Sequence, residues 1–396
     1  MYVHVPWCRS RCGYCDFNTY VPGALEGASP GSFVGDTRAE IALARRMLAD
    51  SQVPVSTVFV GGGTPTMLKS AELVAVLEAI DTSFGLAHDA EITTEANPET
   101  VTTQSLSELR EGGFTRISFG MQSAVEHVLR VLDREHTPGR TVEAVGWAKS
   151  AGFEEISVDL IYGTPGESDE DWQRSLDVAV TLEPTHVSAY SLIVEPGTRM
   201  ARQVARGELP APDEDVLARR YEMADSAFTS AGLDWYEVSN WARGGPGGAS
   251  VCRHNLGYWH NDDWLGLGPG AHSHIGGVRW WNVKHPGRHS GLVHAGSLPV
   301  ADFEVLSAQD QRTERIMLGL RLAEGLAIAD LAGSGETSRG AAPRLNATGD
   351  DVPGRAEVSK LVTEGLLDSD SAGRGQLVLT NRGRLLADLV VRRLAF

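Results

Sequence analysis

Residues 8–17 read CRSRCGYCDF and place three cysteines within eight positions. The chain has 396 residues and only one further cysteine, Cys252. The preceding residues, MYVHVPW, begin with a β-branched run that predicts a strand, so the cysteine loop would follow the carboxyl end of that strand. Active sites lie at this end of the strands in parallel α/β proteins. The stretch therefore indicates both a fold class and the position of a site.

Composition and charge narrow the class of protein. Hydrophobic residues make up 42% and charged residues 22%, as in globular proteins, and no apolar run approaches the ~20 residues of a membrane helix. The formal net charge of −17 argues against non-specific binding to nucleic acid, which needs a basic surface. The N-terminus lacks the features of a signal peptide, so clustered cysteines in a reducing, cytoplasmic compartment indicate metal or redox chemistry. Because the first predicted strand begins at residue 2, a leading segment can be missing from the sequence.

Strand and helix patterns alternate through residues 1–242. The strand candidates are MYVHV, STVFV, EITTEA, TRISFG, EISVDLIYG, HVSAYSLIV and WYEVS. Amphipathic helical patterns lie between them at residues 36–50, 70–84, 102–111, 140–151, 169–182 and 213–231. Such alternation predicts parallel βα units. The similar junctions EGGFTRIS, SAGFEEIS and SAGLDWYEVS predict successive turns of one barrel or open parallel sheet.

The pattern changes after Trp241. Residues 243–303 are rich in Trp, His and Gly without periodicity and predict a connecting segment. Residues 304–396 contain two helical patterns, then a strand, a turn and a helix, and predict a smaller winged-helix-like α+β domain. Residues 334–355 within it predict a mobile loop. A DNA-binding regulator would use the terminal arginines, but the acidity of the chain favours an ordinary solvated helix face and no nucleic-acid partner.

Three thiolates spaced as Cys8-x3-Cys12-x2-Cys15 can hold one inorganic centre. A structural zinc needs four protein ligands, and His4 is the candidate for the fourth, although its direction is dictated by the pleat of its strand. An iron–sulfur cube normally takes four cysteines, so three would leave one iron open to another ligand. Unligated thiols are the third interpretation. The sequence favours the cluster.

The spacing, with aromatic Tyr14 before the last cysteine, resembles the signature of the radical S-adenosylmethionine (SAM) superfamily. The resemblance implies a [4Fe–4S] cluster held by the three cysteines, with SAM chelating the open iron. It also implies that an electron from the cluster can cleave the SAM sulfonium. The fold expected from it is α/β, a partial (β/α)6 barrel of the TIM type over residues 1–242.

Glycines and polar residues follow the later predicted strands. Three glycines in VFVGGGTPT let backbone amides approach a ligand, although a tight turn would also use them. Acidic and amide side chains within apolar strands are costly without a partner, and hydrogen bonding inside the barrel is the alternative to a ligand. The resemblance assigns these residues to SAM: Gly62, Gly63, Thr64, Glu95, Gln122, Arg134 and Asp159. It also places Tyr2 and Tyr14 beside the cluster and makes Ile193 and His272 part of the SAM pocket.

Six motifs occur in order: YVHVPWC, GGGTPT, TTEANPE, FGMQS, VDLIYGTPGES and AYSLIVEPGT. With the C-terminal unit they resemble the oxygen-independent coproporphyrinogen III oxidase group of porphyrin biosynthesis. That group includes true oxidases, which decarboxylate porphyrinogen propionates, and heme chaperones, which bind heme and hand it on. Phe17 stands where the oxidase pattern has a fourth cysteine, and the chain opens on its first strand where oxidases have a longer segment. Both features favour a chaperone.

RHNLGYW, residues 253–259, matches the His-Asn-x-x-Tyr-Trp motif of these chaperones. Heme needs an imidazole for its iron and flat apolar or aromatic walls. Seven of the twelve histidines lie between His254 and His294. The resemblance makes His254 the candidate heme ligand, against the ordinary interpretation of a satisfied histidine. Cys252 is either a second iron ligand or, as we favour, a small buried residue.

We therefore expect a cytoplasmic heme chaperone that carries a [4Fe–4S] cluster, SAM and heme. Its partners would be heme-accepting proteins, and the resemblance suggests one of a membrane respiratory chain. The alternative is a SAM-dependent coproporphyrinogen III oxidase. The sequence leaves open whether SAM is cleaved and whether two copies form a homodimer.

Overall fold

The computed structural model describes residues 1–25, 27–49, 53–134, 137–332 and 354–395. The strands are β1 (Tyr2–Val5), β2 (Val55–Gly62), β3 (Leu86–Ala96), β4 (Arg116–Gln122), β5 (Glu155–Tyr162), β6 (His186–Ser191), β7 (Leu233–Glu237), β8 (Asn240–Arg243), β9 (Gly266–Leu267), β10 (His272–Ile275), β11 (Val278–Asn282), β12 (Val300–Val305), β13 (Leu326–Ala327) and β14 (Gln376–Leu377). The helices are α1 (Phe33–Met47), α2 (Ser70–Phe84), α3 (Thr103–Glu111), α4 (Glu126–Val131), α5 (Arg140–Ser150), α6 (Asp169–Thr181), α7 (Arg199–Ala205), α8 (Glu214–Ser230), α9 (Arg253–Trp259), α10 (Pro286–His294), α11 (Ala308–Gly319), α12 (Arg355–Thr363), α13 (Ser369–Gly373), α14 (Asn381–Leu385) and α15 (Ala387–Ala395). The loop predicted over residues 334–355 lies, up to residue 353, outside the described residues.

The largest sheet has the strand order β7-β8-β6-β5-β4-β3-β2-β1-β9. Strands β1 to β6 are parallel and adjacent in chain order, and one or two helices join each to the next. Cys8, after β1, and Ile193, after β6, line one cavity, so the sheet curves into a partial barrel. The predicted α/β fold with a partial (β/α)6 barrel is confirmed.

The seventh predicted strand, WYEVS, does not continue the parallel sheet, so this prediction is wrong. Strand β7 lies at the sheet edge beside β8, and β8 pairs antiparallel with β6, as in the pair Val187 and Trp241. Only two residues separate β7 from β8, which is too short a connection for a crossover helix. The chain therefore turns back, and β8 occupies the place beside β6.

Helix α6 shows how local sequence sets the helices that cover the sheet. Ser168 accepts a hydrogen bond from Asp171 N, and the Asp171 side chain accepts one from Ser168 N, which forms a capping box. Trp172, Leu176 and Ala179 share one face of the helix and are fully buried. Such helices cover the outside of the barrel and leave the strand ends free for a site.

The connecting segment, residues 243–303, is more regular than its sequence indicated. Strand β9 pairs parallel with β1, with Leu267 beside Val3, and so adds an edge strand to the large sheet. Helix α10 packs against α1, where His289 Nε2 lies 2.9 Å from Glu40 Oε2. His289 thus serves packing between α10 and α1.

Strands β10, β11 and β12 form a separate antiparallel sheet. Strand β12 runs across residue 303, where the sequence puts the boundary of the connecting segment. The domain boundaries drawn at residues 1–242, 243–303 and 304–396 stay predictions. No helix within the described ranges is long and apolar enough to cross a membrane.

The smaller C-terminal α+β domain is built from α11 to α15 and the pair β13–β14, and its presence confirms the prediction. Its core includes the fully buried Ile316, Leu361 and Val390. Arg384 joins it to the barrel, because its guanidinium donates to both carboxylate oxygens of Asp225 at 3.0 and 3.1 Å. The same guanidinium lies 4.4 Å from the ring centre of Trp235.

Candidate functional site

A cavity of about 570 Å³ opens at the carboxyl end of the parallel strands. It is lined by residues of the loops that follow the strands and by inward-facing strand residues. The predicted site residues in its lining are Cys8, Cys12, Tyr14, Cys15, Gly62, Gly63, Thr64, Glu95, Gln122, Arg134, Asp159 and Ile193. Tyr2, His254 and His272 are not in this lining. The barrel thus brings together most of the residues that the sequence singled out.

The three clustered cysteines lie half-buried at the cavity wall. Thr64 Oγ1 donates a long hydrogen bond to Cys8 Sγ, and Arg134 Nη1 donates one to Cys12 Sγ, both at 3.7 Å. Burial raises the pKa of the Cys8 thiol to about 11 and also raises the pKa of Cys15. Thiols in this setting ionise readily only when a metal centre binds them.

The glycine turn after β2 packs directly on the cysteine loop. Thr64 N donates to Trp7 O at 2.8 Å. A Cβ atom on Gly63 would lie 2.5 Å from Trp7 O, closer than real contacts allow, and 3.0 Å from Cys8 Sγ, which is a tight contact. Gly62 has φ = +110°, a conformation that other residues adopt only with strain. The GGG run is therefore required by the close approach of two loops beside a thiol.

Two carboxylates face the cavity from β3 and β5, the strands on either side of β4. Glu95 Oε2 accepts a hydrogen bond from Gly62 N at 2.9 Å, and Ser118 Oγ donates to both oxygens of Asp159 at 2.9 and 2.8 Å. Desolvation, with the charge of Asp159 as the second cause, raises the pKa of Glu95 to about 8. Desolvation likewise raises the pKa of Asp159 to about 6, against the opposing effect of the Ser118 hydrogen bond. A cationic ligand between them would favour the ionised forms of both.

Gln122 and Arg134 complete this side of the cavity. Gln122 ends β4 with φ = +65°, in the left-handed region that is strained for an ordinary residue. Arg134 Nη2 donates to Gly120 O at 3.2 Å, while its buried Nε has no hydrogen-bond partner in the described structure. Strain and an unsatisfied donor at one place are typical of a ligand site.

Tyr2 and His4 lie behind the cavity wall. The Tyr2 hydroxyl shares a 2.9 Å hydrogen bond with His4 Nδ1, and His4 Nε2 shares one of 3.0 Å with Asn18 O. Both ring nitrogens of His4 are therefore engaged, and the ring would have to release one of them to become a fourth zinc ligand. In the described ranges, no three His, Cys, Asp or Glu side chains are grouped to hold a metal ion.

His272 lies on β10, outside the large sheet. It is exposed, and its ring stacks on Trp281 at 5.8 Å between ring centres. The cavity lining does not include His272. Its assignment to a SAM pocket stays a prediction.

The motif RHNLGYW forms α9, which lies towards the amino ends of the strands, away from the cysteines. His254 Nδ1 shares a 2.8 Å hydrogen bond with Thr57 Oγ1 near the start of β2, and Nε2 shares one of 2.9 Å with the Tyr258 hydroxyl. The ring stacks on Phe59 at 5.2 Å and is only 5% exposed. Burial holds the His254 pKa well below its usual value. Ligation of heme iron by His254 would break one of these two hydrogen bonds. Such ligation stays a prediction.

Sequence reasoning missed an ionic network at the inner end of the cavity. Arg116 is almost fully buried and pairs with Glu91 at 3.2 Å and Glu155 at 3.5 Å. The Cys252 thiol donates to Glu91 Oε1 at 3.7 Å, and desolvation raises its pKa to about 12. Cys252 is thus buried and protonated, in line with the favoured interpretation. Charged residues inside the apolar strands EITTEA and TRISFG were the available signal.

Comparison with known families places this architecture in a class. Residues 2–179 match the radical SAM superfamily, and residues 306–386 match the HemN C-terminal domain. The chain is 50% identical over 394 residues to the heme chaperone HemW of Mycobacterium tuberculosis, covering 100% of this chain and 94% of that protein. It is 33% identical over 326 residues to HemW of Bacillus subtilis, covering 82% and 84%. The chain belongs to the heme chaperone HemW family of the radical SAM superfamily.

A solved structure supports the fold independently. Coproporphyrinogen III oxidase HemN from Escherichia coli, a radical SAM enzyme, aligns with a TM-score of 0.80 at 23% identity. The alignment covers 99% of this chain and 89% of that one. At this identity the likeness shows the shared fold alone.

Proposed function

We propose that this protein is a heme chaperone that binds heme and passes it to acceptor hemoproteins, while it carries a [4Fe–4S] cluster and SAM. The observation that carries the proposal is the 50% identity to a curated heme chaperone along the entire chain. The place of action we propose is the cytoplasm, and the acceptors include hemoproteins of a membrane respiratory chain.

The residues at the cavity wall fit an iron–sulfur cluster with three protein ligands. Cys8, Cys12 and Cys15 would hold it, and Gly63 lets the turn after β2 pack closely beside Cys8. Arg134 supplies a positive charge against Cys12 that supports thiolate ligation. A bound cluster of this kind supplies one-electron chemistry.

The neighbouring groups fit SAM, which has an ammonium, a sulfonium and a carboxylate. Glu95 and Asp159 offer two buried carboxylates to the positive groups. The unpartnered Nε of Arg134 offers a donor to the carboxylate. Ile193 provides an apolar wall at the same cavity. The set matches the charges of the ligand.

The first test is hemin binding and transfer by cluster-reconstituted protein. We expect saturable hemin binding, followed by transfer to an apo-hemoprotein that then regains its own Soret spectrum. Cys8→Ser should lose most of its iron and sulfide, whereas the matched variant Cys252→Ser should retain them. Equal loss in both variants would contradict the assignment of the cluster ligands.

The alternative function is the oxidase reaction, because the fold is shared with the oxidase HemN. Reconstituted protein is incubated with coproporphyrinogen, SAM and a reductant, and porphyrins are separated after oxidation. A chaperone yields no vinyl porphyrin. Formation of protoporphyrin with turnover would overturn the proposed function.

A further inference from the structure

Large apolar side chains lie exposed at the mouth of the cavity. Phe17 is 56% exposed and Ile193 is 63% exposed, and both belong to the cavity lining. Tyr190, half-exposed, lies in the same lining. Single exposed apolar residues are common, but several at the rim of one cavity indicate a binding surface.

We propose that heme docks across this mouth, with its macrocycle against Phe17 and Ile193 and its propionates directed to Arg9 and Arg11. The inference rests on the proposed function and specifies where the cargo binds. The proposal gives Phe17 a function, contact with the heme macrocycle, at the position where the oxidase pattern has cysteine.

Phe17 is held by a fixed loop. Thr19 N donates to Phe17 O at 2.8 Å, and Cys15 N donates to Cys12 O at 3.3 Å, so the backbone turns on both sides of it. The next residue, Asn18, donates to Pro269 O and Lys284 O, both at 2.9 Å. A preorganised aromatic side chain contributes more to binding than one that must be ordered.

Ile193 is fixed from the opposite side of the barrel. Leu192 is buried, and its N donates to Tyr162 O at 2.8 Å. Because successive residues of an extended segment point to opposite sides, burial of Leu192 directs Ile193 outward. Phe17 and Ile193 therefore offer apolar contacts from two separate elements.

The charges of the cysteine loop and of the cavity lining give the docked heme an orientation. Arg9 and Arg11 are exposed in the same loop as Cys8 and Cys12, next to the residues that line the cavity but not among them. Asp16 and Glu195 also line the cavity and would repel propionates. Two propionates are therefore favoured on the arginine side of the loop.

A rim site suits transfer better than the interior position of α9. His254 is buried with both ring nitrogens bonded, so heme there would have to displace internal contacts. Heme at the mouth keeps an edge accessible to an acceptor.

The test is hemin titration of reconstituted wild type and the double variant Phe17→Ser/Ile193→Ser. We expect the Kd to rise about tenfold or more. Phe303→Ser is the matched control, because Phe303 is 62% exposed on the separate sheet and should leave the Kd unchanged. Iron and sulfide are measured in each sample. If the Phe17→Ser substitution causes loss of the cluster, the Kd of the single variant Ile193→Ser tests the proposed heme contact.

The charge contribution is tested with Arg9→Gln/Arg11→Gln against Arg46→Gln/Arg288→Gln, which are exposed arginines elsewhere. We expect roughly threefold weaker binding and a smaller salt dependence only in the first pair. Absence of saturable binding by wild type would overturn the proposed function and this inference with it. Wild-type binding that is unchanged in the rim variants, or lost only in His254→Ala, would overturn the inference alone.

Discussion

The rings of His254 and Tyr258 meet edge to face at 4.9 Å and share a 2.9 Å hydrogen bond one turn apart on α9. His254→Ala removes this bond, the bond to Thr57 and the stacking on Phe59. We expect the free energy of unfolding to fall by about 2–4 kcal/mol, since a buried ring is lost and two polar partners are left unpaired. Denaturant unfolding measures the change.

His88→Ala is the matched control, because His88 is exposed on β3. It should alter stability by less than about 0.5 kcal/mol. Equal stability of both variants would show that the α9 contacts contribute nothing to the barrel.

Gly63→Ala should prevent cluster assembly. The added methyl group would collide with Trp7 O and crowd Cys8 Sγ, so the two loops must separate. We expect iron content after reconstitution to drop several-fold. Gly146→Ala, an open position on α5 with no atom within 4 Å, should retain iron and gain about 0.5–1 kcal/mol of stability. Full iron loading of Gly63→Ala would contradict the close approach.

Glu95 should make the cluster-free protein less stable as pH rises. Its pKa is raised from 4.5 to about 8 in the folded state, so the folded protein keeps a proton that the unfolded chain releases between these values. Folding stability therefore falls as pH increases through this window, by a few kcal/mol at ~1.4 kcal/mol for each unit of pKa. Asp159, with its pKa raised to about 6, acts in the same direction.

Urea unfolding between pH 5 and pH 8 tests this dependence. Glu95→Gln should flatten the profile, because the amide stays neutral and still accepts from Gly62 N. Glu111→Gln, at an exposed position on α3, should leave the profile as in wild type. A steep profile that persists in Glu95→Gln would assign the effect to other groups.

Arg384→Ala should uncouple the C-terminal domain from the barrel. It leaves Asp225 without its buried partner and removes the contact with Trp235. We expect a loss on the order of 3 kcal/mol and a separate, lower transition in calorimetry. Arg382→Ala, which loses one exposed bond to Glu364 O, should keep a single transition. One unchanged transition in both variants would refute this coupling.

The parallel core was predictable because its signals are local. Each strand from β1 to β6 is a short β-branched or apolar run. The segments between the strands show the 3.6-residue periodicity of amphipathic helices. The reversal into β8 was not predictable, since Asn240–Arg243 has four residues and no alternation to reveal its partner. The small sheet was missed for a related reason. Its strand β12 pairs with β11 across an intervening segment that contains α10, and Val300–Val305 is exposed over most of its length.

Site residues at strand ends were predictable because chain order and parallel pairing bring those ends together. The inner network was not, since Arg116 and Glu155 meet only through strand register. The partners of His254 were equally hidden. Its bond to Thr57 joins residues 197 positions apart, and no spacing rule specifies such a contact.

Asn18 connects the cysteine loop to the connecting segment through the carbonyls of Pro269 and Lys284. The same segment supplies β9, the strand that flanks β1. Assembly of an inorganic centre in the loop would therefore also brace a part of the chain that is more than 250 positions away. Iron supply would then govern the protein's resistance to proteolysis, with the first cuts in iron-poor cells falling near residues 266–285.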